Sequence, residues 1–181
     1  MAQGTRKQQR PGSQKRQFLK TGLWFVAAVV GLDLITYLAA QADYLFFFNL
    51  LTTRTAAGLI HLSGLEASVS DNVIRLAHGV WIVDTECTAI NLIIIFSSFV
   101  LVYPAPVKAK GAGIALGLPF IFAANVFRLF AMAWMDKLKP DYFIYLHDYV
   151  WQVVFLILVA FMWLIWIDKV VDRASPKPVS A

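Results

Sequence analysis

The sequence predicts an all-α integral membrane protein with about four transmembrane helices, an interfacial helix, a short extracytoplasmic hairpin and both termini in the cytoplasm. Of its 181 residues, 59% are hydrophobic and only 15% are charged, and the mean hydropathy is +0.65. A soluble domain of this size cannot cover that much apolar surface. The composition therefore excludes a soluble globular protein, a disordered chain and a fibrous repeat, and it fits one compact membrane domain.

Four apolar runs have the length that crosses a bilayer, and we interpret them as the transmembrane helices. Residues 1–20 come before them as a basic segment with Pro11, Gly12 and several Gln, for which we expect a disordered cytoplasmic tail rather than a signal peptide. Residues 21–170 form the membrane domain, and residues 171–181 form a second cytoplasmic tail. The four predicted spans cover approximately residues 23–40, 88–103, 111–134 and 149–167.

The segment 41–87 between the first two spans is of mixed character. Tyr44–Leu65 is apolar but interrupted by polar residues such as Arg54 and His61. This pattern favours an amphipathic helix at the interface or packed on the bundle, with a fifth span as the alternative. Val69–Leu76 and Val80–Asp84 alternate in polarity on either side of a short connection, which predicts a β-hairpin.

The distribution of charge predicts the orientation in the membrane. With four spans both termini lie on one side, and that side holds eleven of the sixteen basic residues and two acidic ones. The opposite side holds four basic residues and eight acidic ones. Since cytoplasmic loops carry the excess of Lys and Arg, both termini are predicted to be cytoplasmic and segment 41–87 to be extracytoplasmic. A fifth span would separate the two basic tails.

Three side chains with reactive chemistry are predicted to lie at one depth, the outer membrane boundary. Cys87 comes directly before the second span, and His147 comes directly before the fourth. Arg128 follows Gly111 by 17 residues, or about 26 Å of helix in a hydrocarbon core of about 30 Å. Cys87 is the single cysteine, so an intramolecular disulfide and a cysteine-rich metal site are excluded.

Each of these residues also has an ordinary structural explanation. A cysteine at this depth is commonly an apolar filler, an arginine near a helix end commonly reaches the headgroups, and a histidine there is commonly interfacial, as we expect for His61 and His78. Asn125, however, lies three residues before Arg128 on the same helix face. Paired polar residues of this kind line a bundle interior or cavity more often than lipid.

The three side chains are a sufficient set for acyl transfer. A thiolate is a strong nucleophile, and a nearby cation lowers the pKa of its thiol. A histidine can take the thiol proton and later protonate a leaving amine, and a guanidinium can stabilise an oxyanion. Asp84 and Glu86 beside Cys87 either oppose thiolate formation or orient His147 or Arg128, and Asp148 adjoins His147.

The motifs around these residues resemble the exosortase/archaeosortase family. Asp84-Thr85-Glu86-Cys87-Thr88-Ala89-Ile90 is similar to the cysteine motif of that family, with Ala89 where many members have glycine. Asn125-Val126-Phe127-Arg128 is similar to its Asn-x-x-Arg motif, and His147 lies where the family has its histidine. The resemblance covers about residues 80–170, and the short chain is similar to the compact exosortase H type.

The resemblance implies a membrane cysteine transpeptidase of a prokaryotic cell membrane, the bacterial inner membrane, with its active site on the extracytoplasmic side. Its substrates would be exported proteins that end in a short motif, a transmembrane helix and a basic cluster. Cys87 would be the nucleophile, His147 the general acid and base, and Arg128 the transition-state stabiliser, supported by Asn125, Glu86 and Asp148. The expected partners are these proteins, an acceptor nucleophile and the lipid bilayer, with no nucleic acid, metal or cofactor.

Three other functions fit parts of the sequence. A membrane cysteine protease would use nearly the same site with water as the acceptor. A non-catalytic assembly or transport subunit would use the polar side chains for interior packing, but it leaves the shared depth of Cys87, Arg128 and His147 unexplained. A metal-dependent protease is disfavoured, because the three histidines form no His-x-x-x-His pair. Asp33 inside the first span is expected to pair with another helix or to face the cavity.

Overall fold

The protein is a bundle of helices that carries a small β-sheet at one end. The computed structural model describes residues 11–41, 43–77 and 79–171, without the side chains of residues 11–18 and of Asp148. Its helices are α1 (Pro11–Gln41), α2 (Phe46–Leu62), α3 (Ile90–Val102), α4 (Val107–Leu138), the single turn α5 (Phe143–Tyr145) and α6 (Trp151–Trp166). The strands are β1 (Ala67–Ser70), β2 (Val73–Leu76) and β3 (Val80–Ile82).

Each of the four predicted spans corresponds to a helix, and three of these helices are long and apolar enough to cross a membrane. These three candidates among the described residues are Leu19–Gln41, Val107–Leu138 and Trp151–Val171. Helix α3 has 13 residues, about 20 Å of rise, and starts two residues later than predicted. The delay has a local cause, since Thr85–Cys87 form a 3₁₀ turn and Thr88 is extended, so helical geometry begins only at Ile90.

Aromatic and glycine contacts hold α1, α3, α4 and α6 together. The Phe99 ring of α3 stacks on Trp163 of α6 with centroids 4.3 Å apart, and Phe25 of α1 meets both rings edge-on. On α4, Gly113 faces Trp166 and Gly117 faces Phe96, so closely that a Cβ atom at either position would clash. The short α3 is therefore the central helix of the bundle, with α1, α4 and α6 against it.

Helix α2 packs along α4, which is one of the two arrangements that its amphipathic pattern predicts. Its buried face consists of small and β-branched residues, Thr52, Thr53, Ala56, Ala57 and Ile60. Phe48 meets the Phe122 ring edge-on, and the Trp134 indole donates a hydrogen bond of 3.2 Å to the Ser63 hydroxyl. The opposite face, which includes Arg54, is exposed, so α2 braces one flank of α4.

The predicted hairpin is instead a three-stranded antiparallel sheet in the order β1-β2-β3. The run Val69–Leu76, predicted as one strand, is broken by a turn at Asp71-Asn72, and Asp71 adopts a positive φ of 54°. Asp and Asn are the non-glycine residues that most readily take up this conformation, so they end β1 and start β2. Ile74 and Val83 pack against Ala57, Val126 and Leu129, which seats the sheet on α2 and α4.

Helix α1 extends further at its amino-terminal end than the first predicted span. Helix α1 begins at Pro11 and so takes in the second half of segment 1–20, for which disorder was expected. Proline is favoured at the first helical position, and the Gln, Lys and Arg residues that follow are good helix formers. Residues 1–10 and 172–181, which hold the rest of both predicted tails, lie outside the described part of the chain.

Candidate active site

Cys87 ends a 3₁₀ turn that Asp84 caps. The Asp84 carboxylate accepts hydrogen bonds from the backbone N–H groups of Glu86 and Cys87, at 3.0 and 3.1 Å. The Cys87 thiol lies 3.8 Å from the carbonyl oxygen of Ile82 in β3 and donates to it. Asp is a favoured residue at this capping position. The turn thus holds the cysteine between the end of the sheet and the start of α3.

Asn125 connects this turn to α4. Its side-chain amide is fully buried, and its Nδ2 group donates a hydrogen bond of 3.0 Å to the backbone carbonyl of Cys87. The Oδ1 atom of the same amide is buried and finds no hydrogen-bond partner in the described part of the chain. Asn125 therefore fixes the backbone of the cysteine with one half of its amide and keeps an acceptor available with the other half.

Arg128 lies one helical turn further along α4. Its side chain is 91% shielded from solvent, since its relative exposure is 9%. The guanidinium carbon is 5.8 Å from the centre of the Phe155 ring on α6, within the range of a cation–π contact. Its Nε atom is buried and has no hydrogen-bond partner among the residues that the structure describes, so within this part of the chain the donor is available to a ligand.

His147 lies in a π-helical turn, Leu146–Val150, that joins α5 to α6. Its imidazole stacks on the Phe143 ring one turn earlier, with centroids 6.1 Å apart and planes 16° apart. Phe143 in turn contacts Trp81 of β3 at 5.4 Å. These aromatic contacts orient the imidazole relative to the sheet, and π turns of this kind are frequent at functional sites.

One cavity of about 230 Å³ brings the three predicted residues together. Cys87, Arg128 and His147 all line it, although they come from three separate elements. The rest of its wall is apolar and consists of Trp81, Ile82, Val83, Leu129, Met132, Phe143 and Ile144. An apolar cavity with a few convergent polar groups is the usual form of a ligand site.

The electrostatics of the cavity favour the protonated form of the Cys87 thiol. Burial raises the pKa of the Cys87 thiol above its ordinary value, and the negative charge of Asp84 raises it further. The cation of Arg128 acts in the opposite direction but is the weaker influence. The thiol is therefore protonated at neutral pH, and its activation requires a proton acceptor.

The sequence motifs agree with a comparison against protein families. The model of the transmembrane exosortases matches residues 15–164, more than four fifths of the chain. The chain belongs to the transmembrane exosortase family. No curated protein and no solved structure matches it significantly. The family match thus extends the resemblance, which the sequence showed only over residues 80–170, to most of α1 and all of α2 and the sheet.

The supporting residues predicted for this exosortase differ in where they lie. Asn125 contacts the cysteine directly, whereas Glu86 is exposed and does not line the cavity. The side chain of Asp148, and also His78, lie outside the described part of the chain. Asp33 is exposed on α1, and His61 is exposed on α2. Among the described residues no group of three or more His, Cys, Asp and Glu side chains is placed to hold a metal ion.

Sequence reasoning missed two features of the candidate site. One is Asp84 as the cap of the cysteine turn, which the spacing Asp-x-x-Cys signals as a capping pattern. The other is Phe143, which stacks on His147 from four residues earlier, a spacing that brings side chains together on a helix. The remaining apolar wall comes from three separate elements, β3 with the residue that follows it, α4 and α5, and has no signal in the local sequence.

Proposed function

We propose that this exosortase is a cysteine transpeptidase that cuts exported proteins near a carboxy-terminal membrane helix and transfers them to an acceptor. The observation that carries the proposal is the single cavity shared by the Cys87 thiol, the Arg128 guanidinium and the His147 imidazole. A nucleophile, a proton carrier and a fixed cation in one largely apolar cavity are the components of acyl transfer. Membership of the exosortase family supports the same reaction class.

The reaction begins with loss of the thiol proton. His147 accepts the proton of Cys87, and the thiolate attacks the carbonyl carbon of the scissile peptide bond. The carbonyl oxygen becomes an oxyanion in the tetrahedral intermediate. When the intermediate collapses, the C–N bond breaks, the imidazolium protonates the leaving amine and a thioester to Cys87 remains. The acceptor nucleophile then attacks the thioester and restores the thiol.

Arg128 is the proposed partner of the oxyanion. Burial and the Phe155 ring already hold the Arg128 guanidinium in position beside Cys87. Little reorganisation is therefore needed when negative charge develops on the carbonyl oxygen. The Nε donor, which has no partner among the described side chains, supports this role, because a buried N–H group without a partner is costly unless a ligand satisfies it. Asn125 is proposed to act through Cys87, as a positioning residue.

The charges at the two ends of α4 support an extracytoplasmic site in the cell membrane. Lys108 and Lys110 lie in the first turn of α4, and Arg128 follows Lys108 by 20 residues, about 30 Å along the helix. The cavity end of the protein carries Lys137 and Lys139 but a larger number of acidic residues, such as Asp84 and Asp141. The positive-inside rule then puts Lys108 and Lys110 in the cytoplasm and the cavity on the opposite side. A substrate held by a membrane helix would present its peptide bond at this boundary.

The test is a processing assay in membranes. The protein is co-expressed with a tagged exported protein that ends in a short motif, an apolar helix and basic residues, and the mass of the product is measured. We expect Cys87→Ala to abolish processing, and Arg128→Lys to lower the rate by about 100-fold or more, since Lys lacks the planar fork. His147→Gln should also be strongly impaired. Arg75→Gln and His61→Gln, both at exposed positions, are the matched controls and should process normally.

The product distinguishes transfer from hydrolysis. An added acceptor mass on the shortened protein supports the transpeptidase, whereas a free carboxylate indicates a protease that uses water. Processing by Cys87→Ala at the native rate would exclude the cysteine mechanism altogether. Because Cys87 is the only cysteine, a thiol-reactive probe reports directly on this site in every variant that retains it, and Cys87→Ala gives the background.

A further inference from the structure

Strand β3 forms an open edge of the sheet directly beside the cavity. The strand order is β1-β2-β3, so β3 pairs with β2 on one side and has no strand of the described residues on the other. Its side chains Val80 and Ile82 are 63% and 65% exposed. An unpaired strand edge of this kind is a template for pairing with another chain, and natural proteins usually protect it.

The register shows which backbone groups face the open edge. Leu76 and Gly79 exchange two hydrogen bonds, and the Val83 N–H donates to the Asn72 carbonyl at 2.8 Å. In an antiparallel pair, bonded and non-bonded residue pairs alternate. The pairs Arg75–Val80 and Val73–Ile82 are therefore non-bonded. The N–H and C=O groups of Val80 and Ile82 consequently point away from β2, toward the free edge.

One of these outward groups contacts the candidate nucleophile. The Ile82 carbonyl oxygen is 3.8 Å from the Cys87 sulfur. A peptide carbonyl that is about to be attacked lies about 3–3.5 Å from the nucleophile, and neighbouring strands lie about 4.8 Å apart. These distances are compatible with a peptide that presents its carbonyl to Cys87 and runs past Ile82 as an additional strand.

We infer that the substrate segment around the cleaved bond binds as an extended strand on the free edge of β3. This inference rests on the proposed function and adds to it the mode of substrate recognition. The outward N–H and C=O groups of Val80 and Ile82 hydrogen-bond to alternate residues of the substrate, which sets the register of the chain. This register places the neighbouring carbonyl of the substrate at Cys87. The cavity behind Trp81 then binds a side chain of the substrate.

The first experiment maps this pairing by disulfide cross-linking. In a Cys87→Ala background, which removes the only native cysteine and prevents cleavage, Val80→Cys supplies a single thiol on the edge strand. Single cysteines are then placed at successive positions of the substrate segment that comes before its membrane helix. We expect cross-linking yields that rise and fall with a period of two residues. Val69→Cys on β1, the opposite edge of the sheet, is the matched control and should give background yields.

The second experiment removes one edge hydrogen bond. Val80→Pro deletes an N–H group that makes no bond to β2, and the first residue of a strand tolerates proline. We expect processing to fall at least tenfold while thiol labelling of Cys87 and the thermal unfolding temperature stay near native. Val69→Pro, at the corresponding outward position of β1, should process normally.

The outcomes distinguish a failure of strand addition from a failure of the proposed function. If native protein processes the substrate, Cys87→Ala does not, and Val80→Pro works at the native rate, then strand addition is wrong and the transpeptidase proposal stands. Cross-links without a period of two, or none above the Val69→Cys control, would also overturn strand addition. Processing by Cys87→Ala would instead overturn the proposed function.

Discussion

The side chain of Asn125 donates a 3.0 Å hydrogen bond to the backbone carbonyl of Cys87, across 38 positions of sequence. The Asn125 side chain is fully buried, so water does not compete for this bond. If the bond is not made, the cost of desolvating both groups is left uncompensated. The same helix face presents Arg128 one turn later. The Asn-x-x-Arg spacing thus places one residue on the backbone of the cysteine and the other beside its thiol.

The first prediction concerns the Asn125 amide. Asn125→Ala leaves the Cys87 carbonyl without its donor, at a cost of about 1–3 kcal/mol, so we expect the processing rate to fall by about 10- to 100-fold. Asn125→Asp should be at least as severe, because it replaces the donor with a buried negative charge. The assay is the membrane processing rate, with Asn91→Ala, an exposed asparagine in the first turn of α3, expected to match the native protein.

The second prediction is a pH profile of the Cys87 thiol. Because burial and Asp84 raise its pKa, the rate of alkylation by a small maleimide should reach its inflection above the pH typical of a free cysteine. Asp84→Asn removes the negative charge and keeps an oxygen for the cap, so the thiolate is stabilised and the inflection moves to lower pH. Arg128→Gln removes the opposing cation and should move it to higher pH.

Glu86→Gln is the control for the profile, since Glu86 adjoins the cysteine in sequence but is exposed and lies off the cavity wall. Its inflection should stay at the native pH. An inflection for Asp84→Asn at or above the native value would show that Asp84 acts on Cys87 as a cap alone and not through its charge.

The third prediction tests the aromatic support of His147. Phe143→Leu removes the ring that stacks on the imidazole, and aromatic pairs contribute about 0.5–1.5 kcal/mol beyond their buried area. We expect processing to slow by up to about tenfold, while alkylation of Cys87 by a maleimide keeps its native pH profile. Phe143→Tyr retains the stacked ring and should restore the rate. Equal rates for the leucine and tyrosine variants would show that the ring does not orient His147.

The fourth prediction concerns stability. A methyl group at Gly117 would run into the Phe96 ring, and Phe96 is only 1% exposed, so it has no free space to move into. We expect Gly117→Ala to destabilise the protein by about 1–3 kcal/mol, measured as thermal unfolding in detergent. Gly111→Ala lies on the same helix with nothing within 4 Å of the added carbon. This control should unfold at the native temperature or slightly above it.

Those features that depend on long apolar runs were predictable from the sequence. Such runs fix the positions of α1, α4 and α6, and a constant helical rise then assigns a depth to Cys87, Arg128 and His147 without any knowledge of packing. Side-chain chemistry decided the details that the sequence missed. The Asp84 cap delays α3 to Ile90, and Asp71-Asn72 divide a predicted strand in two. The cavity wall could not be predicted from the sequence, because residues such as Trp81 and Met132 meet only through tertiary packing.

Through the hydrogen bond from Asn125, the site consists of two structural parts. Cys87 and Arg128 are both attached to α4, one through a side-chain amide and one through the helix itself, so a tilt of α4 carries them as a single body. His147 belongs to a second body, the π turn before α6, which meets α4 where the Trp151 indole donates to the Met132 sulfur. The cavity therefore lies between the part of the protein that holds the thiol and the guanidinium and the part that holds the imidazole.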